Sequence, residues 1–246
     1  MDRLAKLTFT ELKLFLRDPT AVFFAVVFPP MLLGILGAIP AFREPSEDLG
    51  GQRVIDLYVP IMIGFVLAML ALSVLPTYLA TYREKGILRR LSTTPVQPSS
   101  LLLAQLAMGV GMALVAVTLV LGIGVVVFDT AMPGQLLGYL VAFVLAAAAS
   151  FAVGLLIAAV APSGKAASGI GSILFFPMMF LAGLYFPREV MPEVLRRIGD
   201  FTPLGAGVQA LQDATTGAWP QPLHLAVLAA FAIGASLTAA KLFRWE

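Results

Sequence analysis

Few side chains in this sequence of 246 residues have the type and spacing for bond-making chemistry. Its single histidine, His224, and the serine of Ala167-Ser168-Gly169 are the raw material of a nucleophile and base inside a membrane. Ser168 opens one apolar run and His224 opens the next from the opposite end. The two therefore lie about a hydrocarbon core apart, roughly 30 Å, where a nucleophile and its base need about 3 Å. The only Gly-Lys pair, Gly164-Lys165, is followed by Ala166 and has Ala159 where a phosphate-cradling loop needs its first glycine. Without cysteine there is no disulfide, thiolate metal site or thiol nucleophile. The residues thus predict no enzyme, no metal site and no cofactor on this chain.

The absence of chemistry follows from composition. Hydrophobic residues make up 59% and charged residues 12% of the chain, about half the charged share of a soluble domain. Six stretches of 22 to 38 residues contain no Asp, Glu, Lys or Arg, and a helix crosses the hydrocarbon core with about 20 apolar residues. Spans are expected at 20–41, 57–81, 101–127, 135–160, 167–186 and 222–241. A transmembrane barrel would alternate apolar and polar residues instead. The fold class is all-α integral membrane, one transmembrane domain over 1–246. The charged start, Met1 to Asp18, and the long first apolar run argue against a cleavable signal peptide.

Lysine and arginine divide unevenly between the two faces, eleven on the face of the termini and five opposite. The positive-inside rule then places both termini in the cytoplasm, and the expected location is a bacterial-type inner membrane. No Asp, Glu, Lys or Arg lies between the ends of any span, and the one histidine, His224, sits near the outer end of span six, so a side-chain-coupled ion carrier or voltage sensor is not expected. Nothing points to nucleic acid; membrane lipids are the surroundings.

The positioning elements have texture of their own. In residues 1–18, Arg3, Lys6, Thr10, Lys13 and Arg17 form one stripe and Leu4, Phe9, Leu12, Phe15 and Leu16 the other, as in an interfacial helix. That helix is either a surface anchor alone or also a contact for a cytoplasmic subunit. Pro29-Pro30 should kink or break span one. Spans three and four are rich in Gly, Ala and Val and are expected to pack as a hairpin. Aromatic residues and methionines crowd the outer half of span five, and Phe243, Arg244 and Trp245 anchor span six. The segment from Pro187 to Gln221 carries Leu195, Ile198, Phe201, Leu204 and Leu211, and an outer segment this apolar can re-enter the membrane under cover of protein.

After span two comes Glu84-Lys85-Gly86-Ile87-Leu88-Arg89-Arg90-Leu91-Ser92-Thr93-Thr94-Pro95-Val96. This run resembles the permeases of the type-2 ABC transporter family, which carry E-K-G-T-L-E-R-L-x-x-T-P-[VIL] there; Ile87 and Arg89 depart from it. Leu181-Ala182-Gly183-Leu184-Tyr185-Phe186-Pro187, with Met191-Pro192 and Phe201-Thr202-Pro203-Leu204, is similar to a second family stretch. Leu49-Gly50-Gly51-Gln52 looks like a fragment of an ATP-binding-cassette signature, but it falls in a short outer loop and is read as coincidence.

The resemblance implies a permease that pairs with a second permease subunit, identical or paralogous, and with two copies of a separate ABC ATP-binding subunit that holds ATP and Mg. It implies that Arg83 to Leu91 form a coupling helix, with Arg83, Glu84, Lys85, Gly86, Leu88, Arg89 and Arg90 as its coupling residues. By the same analogy Met62, Phe65, Met69, Phe175, Phe176 and Met179 line a substrate path, although ordinary helix packing explains these faces equally well. Apolar, adaptable side chains suit hydrophobic or amphipathic cargo, drugs first. Lipid or polysaccharide export, or a non-transporting scaffold or sensor bound to an ATPase, are the alternatives.

Overall fold

In lipid an apolar segment satisfies its peptide groups only within itself, and the computed structural model, which describes residues 3–49, 51–92 and 98–243, answers with helices throughout. In chain order they are α1 (Arg3–Leu16), α2 (Pro19–Gly37), α3 (Val54–Glu84), α4 (Ile87–Ser92), α5 (Pro98–Phe128), α6 (Leu136–Val160), α7 (Gly164–Ala182), α8 (Glu193–Asp200), α9 (Pro203–Thr215) and α10 (Pro222–Leu242). Spans one to six are α2, α3, α5, α6, α7 and α10. Thr93 to Val96 of the loop motif, Gly50, Arg244 and Trp245 lie outside the described residues.

The span ends are set by local chemistry. Span one stops at Gly37 rather than 41, because Pro40 holds Ile39 in extended backbone (ψ 114°). Span five stops at Ala182, where Gly183 (φ +103°) turns the chain left-handed and the Leu184 N–H returns to the Met179 carbonyl. Tyr185 and Phe186 therefore lie in the turn beyond the span. The expected helix from Arg83 to Leu91 is two pieces: α3 runs on to Glu84, and Gly86 (φ +67°) turns the chain into α4.

Pro29-Pro30 does not break span one. Residues Phe23–Val27 form a π turn, in which the Phe28 N–H reaches back to the Phe23 carbonyl. The wider turn moves carbonyls one turn back out of the way of proline rings that would otherwise strike them. Span two repeats the device, with a π turn at Met69–Val74 just before Pro76 and the Leu75 N–H on the Leu70 carbonyl.

Span two is the mast of the bundle, with 83% of its apolar window buried. Its π turn is where two neighbours come closest. A β-carbon at Gly154 of α6 would stand 2.0 Å from the Ala71 carbonyl oxygen, and one at Gly171 of α7 would stand 2.1 Å from that of Leu72. Each glycine thus points a Cα hydrogen at a carbonyl next to the gap that Pro76 leaves in the ladder.

The expected hairpin of spans three and four does not close at backbone level. Phe151 stands between the two helices, against Gly109 of α5. The small residues of α6 face elsewhere, and its longest partner is α10, which applies the stripe His224, Leu228, Ala235 and Ala239. α5 packs instead on α1, α2 and α3.

The segment before span six folds as α8 and α9. α9 is buried almost throughout, among α3, α6, α7 and α10. Val208 meets Gly64, ten residues into α3, and Gly207 meets Ala146. Leu204 and Leu211 are core, whereas Ile198 and Phe201 are exposed.

Gly154→Ala and Gly171→Ala should each destabilise the protein by about 1–3 kcal/mol, because backbone cannot give way as a side chain does. Gly34→Ala, whose β-carbon meets nothing within 4 Å, should leave stability unchanged or raise it slightly. Thermal unfolding in nanodiscs measures all three, and equal melting temperatures would sink this account of the π turn.

Candidate functional site

The residues after span two were expected to face a partner, yet the first two face this chain. The Arg83 guanidinium donates to the carbonyls of Ala159 and Ala161, at the end of α6. The Glu84 carboxylate accepts the Gly164 N–H at 3.0 Å, at the start of α7. A cation on a helix C-terminus and an anion on a helix N-terminus each meet backbone groups that lack in-helix partners. Together they fasten the end of span two to the turn between spans four and five. Gly164 permits the approach, since a β-carbon there would stand 2.1 Å from Thr81 Oγ1.

Of the remaining loop residues, Lys85 and Arg90 are exposed and Leu88 is buried, seating α4 against α3 and α5. Gly86 supplies the left-handed turn. Arg89 lies within α4, with its side chain outside those described. Sequence reasoning missed the turn of spans four and five as a partner. Its signal was the helix stop and restart at Pro162-Ser163-Gly164, where the Ser163 hydroxyl caps α7 by accepting the Ala166 N–H.

A second polar tie holds α1. The residues of its basic stripe at Lys6, Thr10, Lys13 and Arg17 are exposed as expected, and its apolar side divides: Phe15 is buried, while Leu4, Phe9 and Leu16 stay exposed. Glu11, which sequence reasoning passed over, is 5% exposed. It accepts hydrogen bonds from the Tyr82 hydroxyl (2.8 Å) and from Gln105 Nε2 (2.5 Å). One helical turn along α3, the Tyr78 hydroxyl donates to Asp18 at 3.1 Å, and Asp18 also caps α2. Burial pushes the Glu11 carboxyl above the ordinary carboxylate range, and the Tyr82 bond only partly opposes this. The signal was a carboxylate within the apolar stripe Leu4, Leu7, Glu11 and Phe15.

Between α2, α3 and α7 lies a cavity of about 540 Å³ that opens to the outside of the bundle, where Phe24 and Phe176 are exposed. Phe24, Phe28, Phe65, Phe175 and Phe176 line it as a chain of rings, with successive centroids 5.4 to 5.8 Å apart. Met69 completes that wall. Of the six residues expected along the path, Phe65, Met69, Phe175 and Phe176 lie here. Met62 and Met179 are fully buried in the core and away from the cavity wall. Span one's Phe24 and Phe28 were missed, because an apolar run shows no face when every side of it is apolar. Two hydroxyls in the wall are already engaged: Tyr58 donates to the Leu184 carbonyl at 3.1 Å and Ser172 to that of Ser168 at 2.9 Å. The cavity therefore offers a ligand shape and dispersion contact, with little directional bonding.

The sequence profile of the family described as ABC-2 type transporter matches residues 4–215, from α1 through the end of α9. No curated protein matches the sequence at a significant level.

Two expectations follow from the polar ties. Arg83→Ala or Glu84→Gln should leave all six spans inserted while loosening the turn of spans four and five, seen as at least a severalfold rise in protease or label access around Ser163; unchanged access would show the ties to be idle. For Glu11, the folded state holds a proton more tightly than the unfolded chain, so stability falls as pH rises from near 4.5 through its raised value. The Glu11→Gln variant, whose new amide can donate to the unpartnered Gln105 Oε1, should be more stable than the wild type at pH 8, with the gap narrowing toward pH 5. Melting curves that stay a constant distance apart would contradict this.

Proposed function

Since the chain belongs to the ABC-2 type transporter family, and so is the membrane-spanning permease subunit of an ABC transporter, we propose that it exports hydrophobic or amphipathic compounds, drugs foremost, driven by a separate ATP-binding subunit. The observation that carries the substrate class is the aromatic cavity, lined almost wholly by apolar side chains, with two of its four hydroxyls, those of Tyr58 and Ser172, engaged on backbone carbonyls. A charged sugar or small ion would lose its hydration there without replacement. A flexible apolar molecule gives up little and gains large aromatic contact.

In this reading two permease subunits work with two ATP-binding subunits, which supply ATP and Mg, and residues 1–246 act as one domain. The basic excess on the face of the termini supports a cytoplasmic placement of both ends in an inner membrane. α4, with Arg90 exposed on it and Lys85 exposed in the turn before it, receives the push of the ATPase. Arg83 and Glu84 share it with the turn of spans four and five, and Tyr82 shares it with α1 through Glu11. Such a path needs rigid elements tied at their ends, and the hydrogen bonds at Ala161, Gly164 and Glu11 support one.

The test is ATP hydrolysis by the permease reconstituted with its ATP-binding subunit in proteoliposomes, with and without hydrophobic fluorescent dyes. Dyes should stimulate hydrolysis and be transported. Phe65→Ala and Phe176→Ala should each raise the half-saturating dye concentration about tenfold, the loss expected for one aromatic contact. Stimulation by a lipid-linked sugar and by no dye would replace the drug reading with the lipid or polysaccharide one. ATP turnover untouched by any cargo would favour a scaffold.

A further inference from the structure

At the end of the bundle opposite the termini, a polar cavity of about 300 Å³ lies where α8, α9 and α10 meet. His224, the third residue of α10, stands in its wall and is 3% exposed. Each ring nitrogen faces a different carboxylate. Nε2 is 3.3 Å from Asp200 Oδ1, at the end of α8, and Nδ1 is 3.8 Å from Asp213 Oδ2, near the end of α9. At that distance Nδ1 makes no hydrogen bond.

A neutral imidazole carries one N–H and one lone pair, so it serves one of these carboxylates and turns a lone pair toward the other. Only the doubly protonated ring donates to both. We propose that His224 is a proton-binding site, and that acid on this face of the membrane locks α8 and α9 onto span six through Asp200 and Asp213.

The surrounding charges favour this reading. Asp200 is already shared with the buried guanidinium of Arg188, which also donates to the Arg196 carbonyl. Asp213 accepts the Gln221 N–H at 3.2 Å, and among the described residues no lysine or arginine pairs with it. An imidazolium is thus the one cation placed to answer Asp213.

The other charged groups of the cavity are engaged or open to water. Glu193 and Arg197 pair with each other on the exposed side of α8, Glu189 accepts from Gln212 at 3.3 Å, and Arg196 is exposed. The helices behind His224 add little: Tyr139 is the only titratable side chain of α6, and Lys165, the only one of α7, lies at its opposite end. The N-terminus of α10 disfavours a positive charge, while the C-terminal ends of α8 and α9 favour one. The Arg188 guanidinium on Asp200 opposes a second positive charge, so the carboxylate left for the ring to answer is Asp213.

His224 is the only histidine in the chain, so ring ¹⁵N resonances of histidine-labelled, full-length protein in nanodiscs report on this site alone. Histidine ordinarily changes charge between pH 5 and 8, and the expected result over that range is a ring that gains its second proton with both N–H groups hydrogen-bonded. Asp213→Asn should remove the charged-acceptor signature at Nδ1 and keep the one at Nε2. The absence of cysteine gives a second readout from Gln209→Cys, in the cavity wall. Its labelling rate, divided by the rate in a His224→Gln background, should be about tenfold lower at pH 5.5 than at pH 8, the effect of one charge-assisted hydrogen bond. A ring that stays neutral to pH 5, a Nδ1 signal indifferent to Asp213→Asn, or a labelling ratio equal at both pH values would each overturn the proposal. Neither readout uses ATP or cargo, so both stand apart from the export assay.

Discussion

A peptide carbonyl without a donor, deep inside an apolar bundle, is the constraint around which this fold is arranged. Pro76 brings no N–H to the ladder of the most buried helix, and the surroundings hold no solvent to make up the loss. The chain responds by widening the helix into a π turn over Met69–Val74. It then brings the Cα hydrogens of Gly154 and Gly171 against the neighbouring carbonyls. Two of the five other spans are positioned by that single defect. The arrangement recurs in span one, before Pro29-Pro30, whereas Pro60 of span two and Pro177 of span five sit within regular α-helix.

Polar side chains gather at the two ends of this apolar middle and serve as fasteners. At the end of the termini, Tyr78, Tyr82, Arg83 and Glu84 all leave one stretch of α3, each toward a different element: the cap of α2, the buried carboxylate of α1, the end of α6 and the start of α7. At the opposite end Arg53 does similar work, pairing with Asp56 at 2.7 Å and donating to the Asp129 carbonyl beyond α5 at 2.8 Å. Span two is thus both the most buried helix and the one to which most others are tied.

The six spans and the all-α class were legible in the spacing of charges, because burying a charge in hydrocarbon is costly enough to leave gaps in the sequence. Ends marked by special backbone, such as Pro40 or Gly183, announce themselves only once neighbouring turns are known. Periodicity shows that a helix has a face but does not name its partner, so the small residues of span four were assigned to span three when they meet α9 and α10. The same limit separated Met62 and Met179, which pack in the core, from Phe65 and Phe175 at the cavity. Arg83 and Glu84 were named only as coupling residues toward a partner, and their ties within this chain went unseen because their acceptors and donor are main-chain groups, which carry no sequence signal. Glu11 was the exception, a carboxylate set among apolar residues that a closer count of one helix turn would have exposed.

The aromatic chain from Phe24 to Phe176 joins three helices, and on α3 and α7 it lies far from the place where those two are pinned. Between Thr81, which abuts Gly164, and Phe65 run sixteen residues of α3, about 24 Å of helix. The pinned end acts as a fulcrum and the rings sit on the long arm, so a tilt of about 5° between α3 and α7 becomes a displacement of about 2 Å at the rings. The edge-to-face contact of Phe65 with Phe175 is therefore governed by leverage, and hydrogen bonds at one end of the bundle control whether rings far along the same helices stay together or part.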